Sequence, residues 1–139
     1  MKVSTRNQLK GTVTSITEGI VNSEVTLKIS DSSEITAIIT KAAVQKLELK
    51  EGAEAIALIK ASNVILGKEV TQISARNLLC GKITAISDGA VNAEVTIDLG
   101  DDKYITSIIT EASVKRLNLE AGTDICAIIK ASAVILAVE

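Results

Sequence analysis

Glu24-Val25-Thr26-Leu27-Lys28-Ile29 alternates polar and aliphatic residues, and Glu94-Val95-Thr96-Ile97-Asp98-Leu99 does so again. A period of two reads as a strand with one buried face. Working outward, Leu9 to Ile16 reads as an earlier strand. Ile35 to Thr40 reads as a third, Ala55 to Ile59 as a fourth and Val64 to Leu66 as a short fifth. One stretch departs from this pattern. Lys41-Ala42-Ala43-Val44-Gln45-Lys46-Leu47 has apolar residues at helical spacing and good helix formers. Thr40 stands where an N-cap would. The pattern predicts a short helix over 41–47 and another over 111–117, each followed by a turn such as Glu51-Gly52.

The two alternating segments are one instance of a longer repeat. Ser4-Thr5-Arg6-Asn7 returns as Ser74-Ala75-Arg76-Asn77, and Lys60-Ala61-Ser62 as Lys130-Ala131-Ser132. The offset is constant (74 − 4 = 70 and 130 − 60 = 70), and about half of the aligned positions are identical. One small domain is therefore duplicated. The expected domains are 1–67 and 74–139, joined by a linker at 68–73. Each unit reads strand, strand, strand, helix, strand, strand. The fold class expected is all-β: two tandem OB-like five-stranded barrels, each with one short helix. The linker is short enough that the barrels should touch.

Units of this size have marginal cores alone. Hydrophobic residues make up 47% of the chain and Tyr104 is the one aromatic residue. Mean hydropathy is +0.35. So aliphatic a composition implies burial between units or between copies of the chain. The net charge of −2 and pI near 5.3 oppose a nucleic-acid partner. No apolar run reaches membrane-spanning length, and Met1-Lys2-Val3-Ser4 lacks an apolar signal core. A cytoplasmic protein with no membrane partner is expected. Cys80 and Cys126 stand where the first copy has Lys10 and Ile56. Their spacing matches no metal motif, so free thiols and no direct cation ligands are expected.

The residues that could carry chemistry are anion donors. A tetrahedral dianion wants cations, hydroxyls and N–H groups converging from several directions. Copy one offers Ser4, Arg6, Thr40, Lys60 and Ser62. Copy two offers Ser74, Arg76, Thr110, Ser113, Lys130 and Ser132. All lie at strand edges or helix starts. Single surface cations usually serve solvation alone. Here, however, Lys28, Lys41 and Lys50 have become Asp98, Glu111 and Glu120, while Arg6, Lys60 and their hydroxyl neighbours recur unchanged.

The run Ser-x-Arg-Asn-x-Leu-x-Gly, then Gly-x-Val-Asn-x-Glu-Val, Ile-Thr and Lys-Ala-Ser-x-Val-Ile-Leu resembles the Mop domain of molybdate-binding proteins. Its duplication resembles the tandem-domain molbindins. The resemblance covers nearly the whole chain, twice. It implies an OB-like barrel in a cytoplasmic protein that binds molybdate or tungstate as its ligand. It also implies six assembled domains, hence a homotrimer of two-domain chains. By the same resemblance, Ser4, Arg6, Lys60, Ala61 and Ser62 form one donor set, and Ser74, Arg76, Lys130, Ala131 and Ser132 the other. Ala61 and Ala131 would act through backbone N–H. Thr40, or Thr110 with Ser113, would complete a set from the neighbouring domain. Copy one departs from the pattern, having Ala43 where Ser is expected. A second kind of oxyanion site is implied around Val21 and Asn22, and around Val91 and Asn92.

Other functional classes fit less well. The chain has no His, no Cys–His pair and no Gly-rich phosphate loop, so catalysis is not expected. Glu24 and Glu94 recur on the polar side of a strand and read as a solvated or subunit-contact face. Single-strand binding by an OB fold would want aromatic platforms. Storage or homeostasis of an oxyanion is the primary reading. A general oxyanion-responsive protein-interaction or regulatory module is the alternative.

Overall fold

A computed structural model describes all residues, 1–139. In the first half the elements are β1 (Asn7–Glu18), β2 (Asn22–Lys28), β3 (Glu34–Thr40), α1 (Lys41–Lys46), β4 (Glu54–Ile59), a 3-10 turn (Ala61–Asn63) and β5 (Ile65–Gly67). The second half repeats them as β6 (Asn77–Asp88), β7 (Asn92–Gly100), β8 (Lys103–Thr110), α2 (Glu111–Arg116), β9 (Asp124–Ile129), a 3-10 turn (Ala131–Ala133) and β10 (Ile135–Ala137). The expected strands and helices are all present. Thr40 caps α1 by accepting from the Ala43 amide at 3.0 Å, and Thr110 caps α2 by accepting from the Ser113 amide at 3.1 Å.

Each β1-type strand serves two ladders. Its start pairs with β4 and its end with β2, with a register shift between Val13 and Ser15. The second half shifts in the same way between Ile83 and Ala85. Such a bulge bends a long strand round a barrel corner. Gly11 sits at this crossing, where a Cβ would lie 2.7 Å from the Lys28 carbonyl oxygen; at Gly81 the Asp98 oxygen would be 2.0 Å away. Only glycine lets the two backbones come so near.

The fifth strand was expected to close its own barrel, and here the structure differs. The sheet orders are β10-β4-β1-β2-β3 and β5-β9-β6-β7-β8, so the two halves exchange their last strands. Leu136 pairs with Ala57, and Leu66 with Ala127. The exchange is invisible in sequence because β4 and β9 present nearly the same edge to either candidate. Ser107 favours the exchanged pairing from the second half: its buried hydroxyl donates to the Val64 carbonyl at 2.6 Å. Residues of both halves then form one continuous apolar cluster, with Val25, Leu27, Ile35, Ile59, Val95, Ile97, Ile105 and Ile129 fully enclosed. The halves touch, as the short linker implied, through a shared core. Removing such area from water is worth about 25 cal/mol per Å² of apolar surface.

The cysteines also depart from expectation. Cys80 and Cys126 are cross-strand partners in the β6–β9 ladder and form a disulfide. The pairing register brings them face to face, which their separation of 46 residues in sequence did not disclose.

Candidate oxyanion site between the halves

Each Arg–Lys pair of the two donor sets stands at the end of its own ladder, β6–β9 or β1–β4. Asn77 and Ile129 are cross-strand partners, so Arg76 and Lys130 emerge side by side just beyond the last pair. Asn7 and Ile59 do the same for Arg6 and Lys60. Lys60 and Lys130 adopt extended backbone (φ −66°, ψ 134° and φ −68°, ψ 137°) before the 3-10 turns that carry Ala61, Ser62, Ala131 and Ser132. The first amides of such a turn have no partner within it. A groove of about 350 Å³ is lined by Ser74, Ala75, Arg76, Lys130, Ala131 and Ser132. Ile38 and Ile65 of the first half also line it. Ser74, Arg76, Lys130, Ala131 and Ser132 thus share one groove, of which the exchanged strand supplies part of the wall, whereas Thr110 and Ser113, also named from copy two, do not line it.

The Asn that follows each Arg fixes its place. The Asn77 side chain accepts from the Thr36 amide and donates to the Thr36 carbonyl, both at 2.8 Å. Asn7 treats Thr106 alike, at 2.7 and 2.8 Å. β3 and β8 are edge strands, and each Asn satisfies backbone groups on that edge. Both Asn residues are buried. The Arg-Asn pair recurs in both copies, yet sequence could not say that Asn reaches across to the other half.

Each arginine also meets a carboxylate of the other half. Arg6 grips Glu94 with both terminal nitrogens, Nη1 to Oε1 and Nη2 to Oε2, the latter at 2.9 Å. Arg76 donates through Nη1 to Glu24 Oε1. The hydrogen bond from Arg6 holds the Glu94 carboxyl below the usual carboxylate range. The same bond raises Arg6 above the ordinary guanidinium value. Lys60 and Lys130 are exposed and enter no ion pair. Glu24 and Glu94 were read from sequence as a solvated or subunit-contact face; the contacts they make here are between halves of one chain.

Thr40 lies farther along the strand that gives the groove Ile38, and Thr110 holds the matching place on β8. Ile38 pairs with Glu24, and two residues on Thr40 pairs with Asn22. The Lys41 amide donates to the Val21 carbonyl at 2.8 Å, and the Glu111 amide to the Val91 carbonyl at 2.8 Å. Val21-Asn22 and Val91-Asn92 therefore flank the Thr caps at the hairpin tips. Val21 and Val91 are about 70% exposed, and Ile20 is 97% exposed. The halves differ at the caps. The Thr110 hydroxyl donates to Ser113 Oγ at 2.8 Å, whereas Ala43 offers Thr40 no such acceptor. They differ again at Thr5, whose buried hydroxyl has no partner and stands where copy two has Ala75.

A larger cleft, about 660 Å³, lies by Cys80 and Cys126. Its Lys82 is already paired with Asp124 at 2.7 Å. It lacks arginine and hydroxyl donors and is a poorer anion site.

Residues 3–66 and 73–136 each match the TOBE domain family. The chain is 46% identical over 139 residues to the molybdenum-pterin-binding protein MopA of Rhodobacter capsulatus, covering 99% of this chain and 52% of that one. It is 44% identical over 139 residues to the molybdenum transport protein ModE of Azotobacter vinelandii, again covering 99% and 52%. The chain thus spans about half the length of these curated relatives. A crystal structure of the cytoplasmic molybdate-binding protein ModG, with molybdate bound, superposes with a TM-score of 0.95 at 42% identity, covering 100% of both chains.

Proposed function

Because this chain belongs to the TOBE-domain family and carries the domain twice, we propose that it binds molybdate or tungstate. The oxyanion enters and leaves intact, and the role is storage or homeostasis. The convergence of Ser74, Arg76, Lys130, Ala131 and Ser132 on one groove between the halves carries this reading. Two cations and two hydroxyls suit a compact dianion. The set holds no nucleophile with an adjacent base, so binding without catalysis is the function proposed.

The first set comprises Ser4, Arg6, Lys60, Ala61 and Ser62. Ile38 on the wall of the Arg76 groove supports Thr40, two residues further along the same strand, as the residue that completes the second set. By the repeat, Thr110 and Ser113 complete the first. The exposed Ile20, Val21 and Val91 tips support assembly of several chains. A homotrimer, with further oxyanion positions around Val21, Asn22, Val91 and Asn92, is the arrangement we favour. A cytoplasmic setting without a nucleic-acid partner accords with the acidic pI.

Calorimetric titration with molybdate, repeated in excess sulfate, tests the proposal. Saturable binding that survives sulfate is the expected result. Binding lost to sulfate leaves the general oxyanion-responsive module. No binding of either anion rejects the assignment.

A further inference from the structure

The arginines that should receive the oxyanion already hold anions. Arg6 has Glu94 on both terminal nitrogens, and Arg76 has Glu24. Each carboxylate comes from the opposite half, on β7 or β2. Its strand partner is Ile108 or Ile38, and Ile38 lines the Arg76 groove. The Glu side chains are 37–39% exposed, so they can swing into water without disturbing the core. Neither Glu accepts a hydrogen bond from any other side chain.

We propose that Glu24 and Glu94 are resident counter-anions that a tetrahedral dianion must displace from Arg76 and Arg6. This rests on the oxyanion-binding reading above. A guanidinium presents five N–H donors in a fixed fork. A carboxylate occupying that fork competes with the ligand as an intramolecular anion at high effective concentration. An incoming anion therefore succeeds only if it gains more than the carboxylate loses. A dianion gains from Lys130 or Lys60 as well as the arginine, and these lysines are otherwise unpaired. A monoanion of the same shape gains about half as much Coulomb energy. The latch thus screens anions by charge, with groove size left to screen by radius. Because each Glu belongs to the other half, its release also uncouples one contact between the halves.

The test compares the wild-type chain with Glu24→Gln, Glu94→Gln and the double variant, titrated with molybdate and with perchlorate, a tetrahedral monoanion. Exposed ion pairs contribute modestly, so each Gln variant should bind molybdate about two- to fivefold more tightly. The double variant should also bind perchlorate measurably better than the wild type does. In the wild type, the carboxyl carbon resonance of Glu94 should move on saturation with molybdate, as Arg6 is withdrawn. Asp124→Asn, which removes a carboxylate paired with Lys82 and not with either arginine, should leave molybdate affinity unchanged, which separates the latch from a general effect of charge removal. If the wild type binds molybdate but the Gln variants bind it equally or less tightly, the carboxylates orient the arginines and the latch is rejected while the oxyanion reading stands. If neither wild type nor variants bind any tetrahedral anion, that reading fails and the latch with it.

Discussion

Asn77 holds Thr36 across the two halves by a matched pair of 2.8 Å hydrogen bonds, one accepted from its amide and one donated to its carbonyl. A side-chain amide here does the work of a neighbouring strand. Removing it would leave two backbone groups without partners in a buried setting. Asn77→Ala should therefore destabilise the chain by about 1–3 kcal/mol, read from denaturant or thermal unfolding. Asn77→Asp keeps the acceptor and loses the donor, and its carboxylate would face the Thr36 carbonyl. It should not restore stability.

Arg6 and Lys130 are exposed and lie outside the core. Arg6→Ala or Lys130→Ala should weaken molybdate binding while leaving the unfolding midpoint nearly unchanged, since surface charges contribute about 0–1 kcal/mol. Calorimetry and a thermal melt on the same sample check both halves of this expectation. Affinity and stoichiometry equal to the parent would remove these residues from the site.

Ala43→Ser restores to copy one the hydroxyl that Ser113 supplies in copy two. One class of site should tighten. The ceiling is about 1.5–3 kcal/mol for a hydrogen bond to a charged group, less whatever water already supplies. A titration identical to that of the parent would show the departure to be without effect.

The Arg6 hydrogen bond depresses the Glu94 carboxyl in the folded chain. A carboxylate with a lowered folded value contributes stability above its unfolded pKa and loses it as pH falls through the folded value. The pair should accordingly persist into mildly acidic solution and open only below the ordinary glutamate range. A carbon-detected NMR titration of Glu94 should show this low midpoint. Arg6→Ala should return it towards that of an ordinary glutamate.

Cys80 and Cys126 tie β6 to β9. Reduction, or Cys80→Ser with Cys126→Ser, should lower stability by about 2–4 kcal/mol. Copy one manages with Lys10 and Ile56 at these positions, so molybdate affinity should not follow the change in stability.

Alternation at Val25, Leu27 and Ile29, helical spacing over 41–47 and the constant offset between copies made the elements and the repeat legible. The candidate donors stood out because Arg6, Lys60 and their neighbours recur while surface charges elsewhere have changed sign. What escaped depends on which of two similar surfaces meets which. Leu66 and Leu136 are chemically alike, and so are the β4 and β9 edges they choose between. The Asn7 and Asn77 clamps and the Glu24 and Glu94 contacts all run from one half to the other, where no local pattern records them. Cys80 and Cys126 needed the β6–β9 register before their pairing could be read.

The exchanged strands also set the order in which the molecule can be completed during synthesis. The second barrel needs Ile65–Gly67, already made when β6 to β9 emerge. The first needs Ile135–Ala137 on the edge of β4. At about 5–20 residues per second, the 70 positions from Leu66 to Leu136 take about 4–14 s to translate. Throughout that interval β4 keeps an unpaired edge, and the strand nearest to hand is the wrong one. The half translated first is the half that closes last.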